Sequence, residues 1–335
     1  MPSSTSSSES GPPGGRWGAT TLGTVVLVMA VVSAVEVVWR AAGHAPTVVD
    51  SPDLWAYERS RVRGAGRAAV VLAGSSRMQL DIDTDRFRRR LPEHELVHLA
   101  IDDSQPVAVL RDLADDPAFL GTVVVDITTW GLSRGAWDGQ QRHVDHYHRR
   151  STLNTRWNAR LGALFRSRLV LLNPQVELGS ILRTGRPSAP FYLETLPDRS
   201  RKADFSRADL AAHRAFRTRS LVAQPPTPPV ERWLEEALAV DAMARRIVAR
   251  GGAVAFVRFP SSGASWDYTE RTYPRAVFWD RFAAEAASVV FHFKDNPVMA
   301  DLECPDYSHL DRRDTARFTD ALVDELLARG VLSAP

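Results

Sequence analysis

The sequence predicts an α/β domain of three layers, a parallel β-sheet with helices on both faces, behind one N-terminal transmembrane helix. Three observations carry this. Ala68–Ala73, Gly121–Ile127 and Ala253–Phe259 are apolar runs without in–out alternation, the pattern of strands covered on both sides. Helical patterns stand between them at the spacing of βαβ units. Residues 17–39 are almost free of charge and long enough to cross a bilayer as a helix.

Composition agrees with a packed core, at 44% hydrophobic and 24% charged residues in a chain of 335. A net charge of +2 is too balanced to suggest nucleic acid as the main partner, which would show a concentrated basic face. The single cysteine, Cys304, excludes an internal disulfide and does not choose a compartment.

Taken in order, residues 1–15 are rich in Ser, Gly and Pro and are expected to form a disordered tail. Trp17 and Trp39 bracket the apolar span as interfacial aromatics do, with Glu36 close enough to one end to reach headgroups. Val32-Ser33-Ala34 is a passable signal-peptidase site, but the length of the span and its two tryptophans favour a retained anchor. Arg16 precedes the span while Arg40, Arg59, Arg61 and Arg63 follow it, which by a simple count puts the domain in the cytoplasm. Long domains translocate largely regardless of charge, so the count does not decide orientation.

Residues 40–66 read as a linker with a short helix near Asp53–Arg61, and the domain proper is expected over 67–335. Strand Ala68–Ala73 is followed by a mixed stretch ending as a helix near Phe87 and Leu91. Strand Glu95–Ile101, helix Val107–Leu113 (with Pro106 suited to its first turn) and strand Gly121–Ile127 come next. Residues 131–229 are the least regular part and read as an insertion covering the carboxyl edge of the sheet; helices are suggested at Arg156–Leu172 and Arg207–Arg219. Gln224–Pro229 is a rigid connector. Helix Val230–Arg250 ends at Gly251-Gly252, then strand Ala253–Phe259, helix Pro274–Ala287, strand Ser288–Phe293 and helix Thr315–Leu327 close the chain.

Reactive groups in such a sheet collect where strands end at their carboxyl edge. Gly74-Ser75-Ser76-Arg77 follows the first strand, Asp102-Asp103 the second and Thr128-Thr129 the third. Before the last helix stands Asp306-Tyr307-Ser308-His309, a carboxylate and an imidazole at the spacing that lets one orient the other as a base for a hydroxyl. Alone, Gly-Ser-Ser reads as a helix cap and Asp-x-x-His as an ordinary capping or core histidine. Together, in order and at strand ends, they point to a nucleophilic serine.

A serine closing the first strand and Asp-x-x-His before the last helix resemble the SGNH (GDSL-like) hydrolase family, most closely its membrane-anchored relatives in envelope polysaccharide O-acetylation. The resemblance runs from about Ala68 to Arg329 with the middle third unmatched, and it implies a flavodoxin-like sheet. It makes Ser76 the nucleophile, with Ser75 as the alternative, His309 the base and Asp306 its orienting partner. It implies no cofactor or metal. It also implies a glycan substrate outside the cytoplasm and a membrane-bound O-acyltransferase as partner. The family draws its oxyanion donors from the serine N–H, a glycine after the second strand and an asparagine after the third. Here those places hold Asp102 or Asp103, and Thr128 or Thr129. The alternative is therefore a binding or assembly subunit on the same scaffold without turnover.

Other residues have plainer readings. His143, His146 and His148 have a spacing at which imidazoles can hold zinc, but only Asp145 stands by to complete a site, so a polar loop or sugar-contacting surface is expected. Arg258 at a strand end is either a carboxylate-binding group or a structural ion pair. Trp130, Trp137 and Trp266 fall in edge loops, where such rings stack on sugars or simply pack. Arg86, Arg88, Arg89 and Arg90 read as a solvated helix face.

Overall fold

The computed structural model describes residues 17–176, 183–185, 188–222 and 226–333. The expected tail at 1–15 and part of the expected connector at 224–229 lie outside them. In chain order the elements are α1 (Trp17–Ala41), α2 (Pro52–Ala65), β1 (Ala69–Ala73), α3 (Ser76–Leu80), α4 (Thr84–Arg90), β2 (Glu95–His98), α5 (Val107–Asp115) and β3 (Thr122–Asp126). The stretch expected as an insertion follows with α6 (Gln141–Arg149), α7 (Leu153–Arg166), β4 (Leu193–Thr195), β5 (Arg201–Ala203) and α8 (Leu210–Val222). The chain finishes with α9 (Val230–Val248), β6 (Ala253–Arg258), α10 (Gly263–Thr272), α11 (Trp279–Glu285), β7 (Val289–His292), α12 (Pro297–Ala300) and α13 (Thr315–Ala328).

Five strands pair in parallel in the order β2-β1-β3-β6-β7, with Val70 opposite Leu96, Val71 opposite Val123, Val124 opposite Ala255 and Phe256 opposite Val290. This is the flavodoxin-like order, which reverses direction at β1/β3 and so opens a crevice there at the carboxyl edge. Successive strand residues feed two cores. Val71, Val125 and Phe256 pack with Trp55, Leu110, Trp233 and Phe282 of α2, α5, α9 and α11. Val70, Leu72 and Val257 pack with Phe87, Phe318 and Leu322 of α4 and α13. The unbroken apolar runs of the sequence are the result, since neither face meets water.

The stretch expected as a linker, 40–66, is instead built into the domain. Ser51 accepts the N–H of Leu54 as the N-cap and Pro52 occupies the first turn of α2. Trp55 is fully buried and donates its indole N–H to Leu99 O at 2.9 Å. Arg59, 1% exposed, reaches Asp112 at 2.6 Å and Asp116 at 3.1 Å. The C-terminal end of α1 is docked as well. Trp39 is 1% exposed and packs edge-on against His44 rather than standing at an interface. Glu36, rather than reaching headgroups, accepts from Arg40 and from the Leu171 N–H. The rest of α1 presents exposed apolar side chains, a helix long and apolar enough to cross a membrane.

Two boundaries differ from expectation for local reasons. The mixed stretch after β1 splits into α3 and α4 because Asp83 caps a new helix at the Arg86 N–H. Helix 274–287 shrinks to α11 because residues 274–278 form turns closed by Val277 and Phe278 N–H on Pro274 O. The basic run on α4 is more than a solvated face: Arg86 pairs with Asp320, Arg90 with Asp324 and Arg88 with Asp198. The β4/β5 hairpin is pinned to the sheet by Arg199, 1% exposed, which binds Asp50 and donates to the carbonyls of His98 (2.8 Å) and Ala100 (3.0 Å).

Candidate active site

The first strand ends at Gly74, where only a hydrogen fits: a Cβ would come within 2.5 Å of Met78 Cβ and 3.1 Å of Asp126 Cβ. That close approach lets the chain turn directly into α3, whose first residue is Ser76. The Ser76 Oγ lies 2.8 Å from Nε2 of His309, 233 positions away, and His309 Nδ1 lies 2.7 Å from Asp306 Oδ2. The other carboxylate oxygen accepts the N–H groups of Ser308 at 2.9 Å and His309 at 2.8 Å. Tyr307 makes this turn possible by adopting a left-handed φ of +73°, a conformation costly for a bulky residue and held here by the surrounding bonds. Burial opposes the charge on Asp306, but the His309 imidazole and the two backbone donors outweigh it and hold the carboxyl below its usual range.

The loop carrying His309 is tied to the helix carrying Ser76. Asp81, which closes α3, is fully buried and accepts the Leu310 N–H at 2.9 Å. Burial first, and the charges of Asp126 and Asp306 after it, push its carboxyl well above the ordinary value. The neighbouring serine faces elsewhere: Ser75 Oγ donates to Asp126 Oδ2 at 3.4 Å. Arg77 Nε stands 3.7 Å from the same oxygen. Gln140, fully buried, donates its amide to the carbonyls of Gly74 (2.9 Å), Ser104 (3.3 Å) and Ile101 (3.4 Å), stapling the loops after β1 and β2 together.

Ser76, Asp306 and His309 open into a cleft of about 820 Å³. Its walls include Asp103, Thr128, Thr129 and Trp130, and the insertion roofs it with Tyr192 and Arg201 of the hairpin region and His213 and Arg217 of α8. Asp103 is exposed and left-handed at φ +55°. The Asp102 carboxylate is turned onto Arg201 at 2.7 Å. The Thr128 hydroxyl accepts the Gly131 N–H at 2.9 Å, while its own N–H donates to Gln105 Oε1 at 3.3 Å. Thr129 is 4% exposed and its carbonyl accepts the Trp233 indole N–H at 2.8 Å. The Arg217 side chain forms no ion pair or hydrogen bond among the described residues, and desolvation lowers its pKa against the pull of Asp306, Asp102 and Asp103.

Of the two readings of Arg258, the structural ion pair is not what the structure shows. The residue is 2% exposed at the floor of the cleft, it has no carboxylate within ion-pair distance among the described residues, and it donates to Phe259 O at 2.6 Å and Ser261 Oγ at 3.1 Å. Burial brings its pKa down to about 9. His143, His146 and His148 are on helix α6, not a polar loop. His146 meets Asp53 at 2.8 Å and His148 meets Asp112 at 2.6 Å, while His143 is buried against Trp55. Trp137 is 4% exposed with its N–H on Leu132 O, and Trp266 packs on His292 and Phe293, so of the three tryptophans it is Trp130 that lines the cleft.

Asp81, Asp126, Gln140 and Arg217 were not singled out from sequence. Asp126 did carry a signal, since an acid closing a run of valines must be buried beside a partner. Gln140 carried none.

No family model matches the chain, and no curated protein matches it. The crystal structure of TesA is similar at 11% identity with a TM-score of 0.37, covering 79% of this chain and 99% of that one. A likeness that loose assigns no family.

Proposed function

We propose that the protein is a membrane-anchored serine O-acyltransferase or esterase of SGNH type. It acts on acyl groups, acetyl first among them, of a glycan outside the cytoplasm. The observation that carries this is the continuous chain Ser76 Oγ–His309 Nε2–Asp306 at 2.8 and 2.7 Å, opening into a cleft. Asp306 fixes the proton of His309 on Nδ1, leaving Nε2 to accept. Ser76 Oγ attacks the ester carbonyl carbon and its proton passes to Nε2. The ester oxygen leaves with that proton, and the acyl group remains on Ser76. An acceptor hydroxyl, of sugar or water, then repeats the sequence in reverse with Nε2 as base.

The negative oxygen formed on the way requires donors. Ser76 opens α3, so its own N–H has no partner within the helix. Thr128 keeps a hydroxyl proton to give while it accepts from Gly131. At Asp103 the backbone takes the left-handed form natural to glycine, which the family has there; an aspartate tolerates it. The second reading, a scaffold without turnover, draws its support from this same residue, since a carboxylate on the cleft wall opposes an oxyanion.

The anchor is α1, with the domain outside the cytoplasm and a membrane-bound O-acyltransferase as the supplier of acyl groups. Labelling the full-length protein with a fluorophosphonate tests the chemistry: labelling lost in Ser76→Ala supports the enzyme, and no labelling of folded protein supports the scaffold. Protease accessibility of the domain in intact cells against inverted vesicles tests the orientation.

A further inference from the structure

Helix α7 has its apolar side turned outward. Leu153, Trp157, Leu161 and Phe165 recur every four residues and are 72%, 54%, 49% and 63% exposed. They fall within an arc of about 120° that also holds Asn154 and Leu164. The opposite side is the one that packs on the domain, with Ala159 and Ala163 against Val48 and Leu54. A soluble surface rarely carries so many large apolar groups in line.

Two further features say what covers this face. The first is its position. The chain leaving α7 at Arg166 meets the docked end of α1 within a few residues: Arg40 donates to Arg168 O at 2.8 Å, and the Leu171 N–H donates to Glu36. Leu172, 38% exposed, continues the apolar surface to that junction. The second is charge. From His146 to Val176 there are six arginines (149, 150, 156, 160, 166 and 168) and no aspartate or glutamate. An apolar face of Trp, Leu and Phe set among arginines is the composition of a helix lying in the headgroup layer of an anionic bilayer.

We propose that α7 lies in the surface of the same bilayer that α1 enters, its apolar arc below the headgroups and the flanking arginines on anionic lipid. This rests on the reading of α1 as a membrane anchor. The domain then touches the membrane at two places.

The test is depth measurement by spin labels on the full chain, reconstituted in vesicles of phosphatidylcholine with phosphatidylglycerol. Nitroxides are placed singly at Leu161→Cys, Phe165→Cys, Val26→Cys on α1 and Glu285→Cys, an exposed position of α11; the native Cys304, 2% exposed, is not in competition for the reagent. Accessibility to oxygen is compared with accessibility to a water-soluble nickel complex. The expected result is that 161 and 165 favour oxygen, as 26 does, while 285 favours nickel, and that 161 and 165 shift toward nickel in vesicles of phosphatidylcholine alone. Nickel-accessible labels at both 161 and 165 in the anionic vesicles overturn the proposal, leaving the face to a protein partner. In that outcome an oxygen-favouring label at 26 retains the anchor, and a nickel-accessible one removes it too.

Discussion

Replacing Asp306 with Asn asks a sharp question of the Ser–His–Asp chain, because the two carboxylate oxygens have different tasks. One accepts the N–H groups of Ser308 and His309, and the other accepts from Nδ1 of His309. Asparagine offers one oxygen only. If that oxygen turns to the imidazole, two buried N–H groups face an NH2, at about 1–3 kcal/mol each. If it stays with the backbone, the NH2 faces Nδ1, which must accept, and the ring proton moves to Nε2. The second arrangement costs less, and in it Nε2–H points at the Ser76 hydroxyl 2.8 Å away and can no longer take its proton. The loss expected for a wrong tautomer is about 10⁴-fold, on the order of 5–6 kcal/mol of transition-state stabilisation. The assay is the rate of fluorophosphonate labelling and of p-nitrophenyl acetate hydrolysis at neutral pH, with circular dichroism to establish that the variant is folded. Asp306→Asn should approach the level of Ser76→Ala. A folded variant retaining a rate within about tenfold of the parent would refute the role given to this carboxylate.

Three further outcomes follow from the same geometry. Gly74→Ala drives a Cβ to 2.5 Å from Met78 Cβ, so α3 and Ser76 must shift; labelling should fall by about 100-fold while the fold persists, and unchanged labelling contradicts the close-approach argument. His98 is buried and donates its Nε2–H to Met78 O, and burial lowers its pKa from 6.5 to about 4. Between those values the unfolded chain binds more protons than the folded one, so stability is lost as pH falls across that window, by about 3 kcal/mol, and nothing is lost above it. Urea titrations at both ends of the window should show His98→Gln with a correspondingly smaller pH effect; an equal pH effect in both proteins counts against it. The raised pKa of Asp81 has the opposite sign: the folded state holds the proton, so stability is greatest below the ordinary carboxylate range and falls as pH rises toward the raised value. Asp81→Asn keeps an acceptor for the Leu310 N–H, and its melting temperature should match or exceed the parent at mildly alkaline pH; a deficit that grows with pH speaks against a protonated Asp81.

The sheet was legible because burial on both faces removes polar alternation: Val70 to Ala73 and Val123 to Val125 can be nothing but interior. The insertion was not, because much of what holds it is arginine on backbone carbonyls, which has no sequence period. Arg199 clasps two strand-end carbonyls, Arg160 holds Pro197 O, and Arg207 reaches Gly43 O. Helix α7 inverts the usual rule, with its large apolar residues outside and its alanines inside, so periodicity reports a helix without saying which side is covered. In the cleft, Asp306 and His309 stood out through short spacing. The choice between Ser75 and Ser76 could not be read, since adjacent residues differ only in where the turn after Gly74 aims them. Asp81 and Gln140 act through single bonds to distant backbone, which no local pattern announces.

The way α1 ends has a consequence for the range of the machine. With Glu36 and Arg40 bonded to Leu171 and Arg168 and Trp39 buried, α1 has no swivel where it meets the body, and the same contacts border the 131–229 stretch that roofs the cleft. A freely tethered domain would sweep a hemisphere and sample any chain drifting past. Under the anchor proposed above, the cleft is held at one height and one bearing relative to α1, and altering the length of α1 by a few residues would move that working distance without touching a single reacting atom.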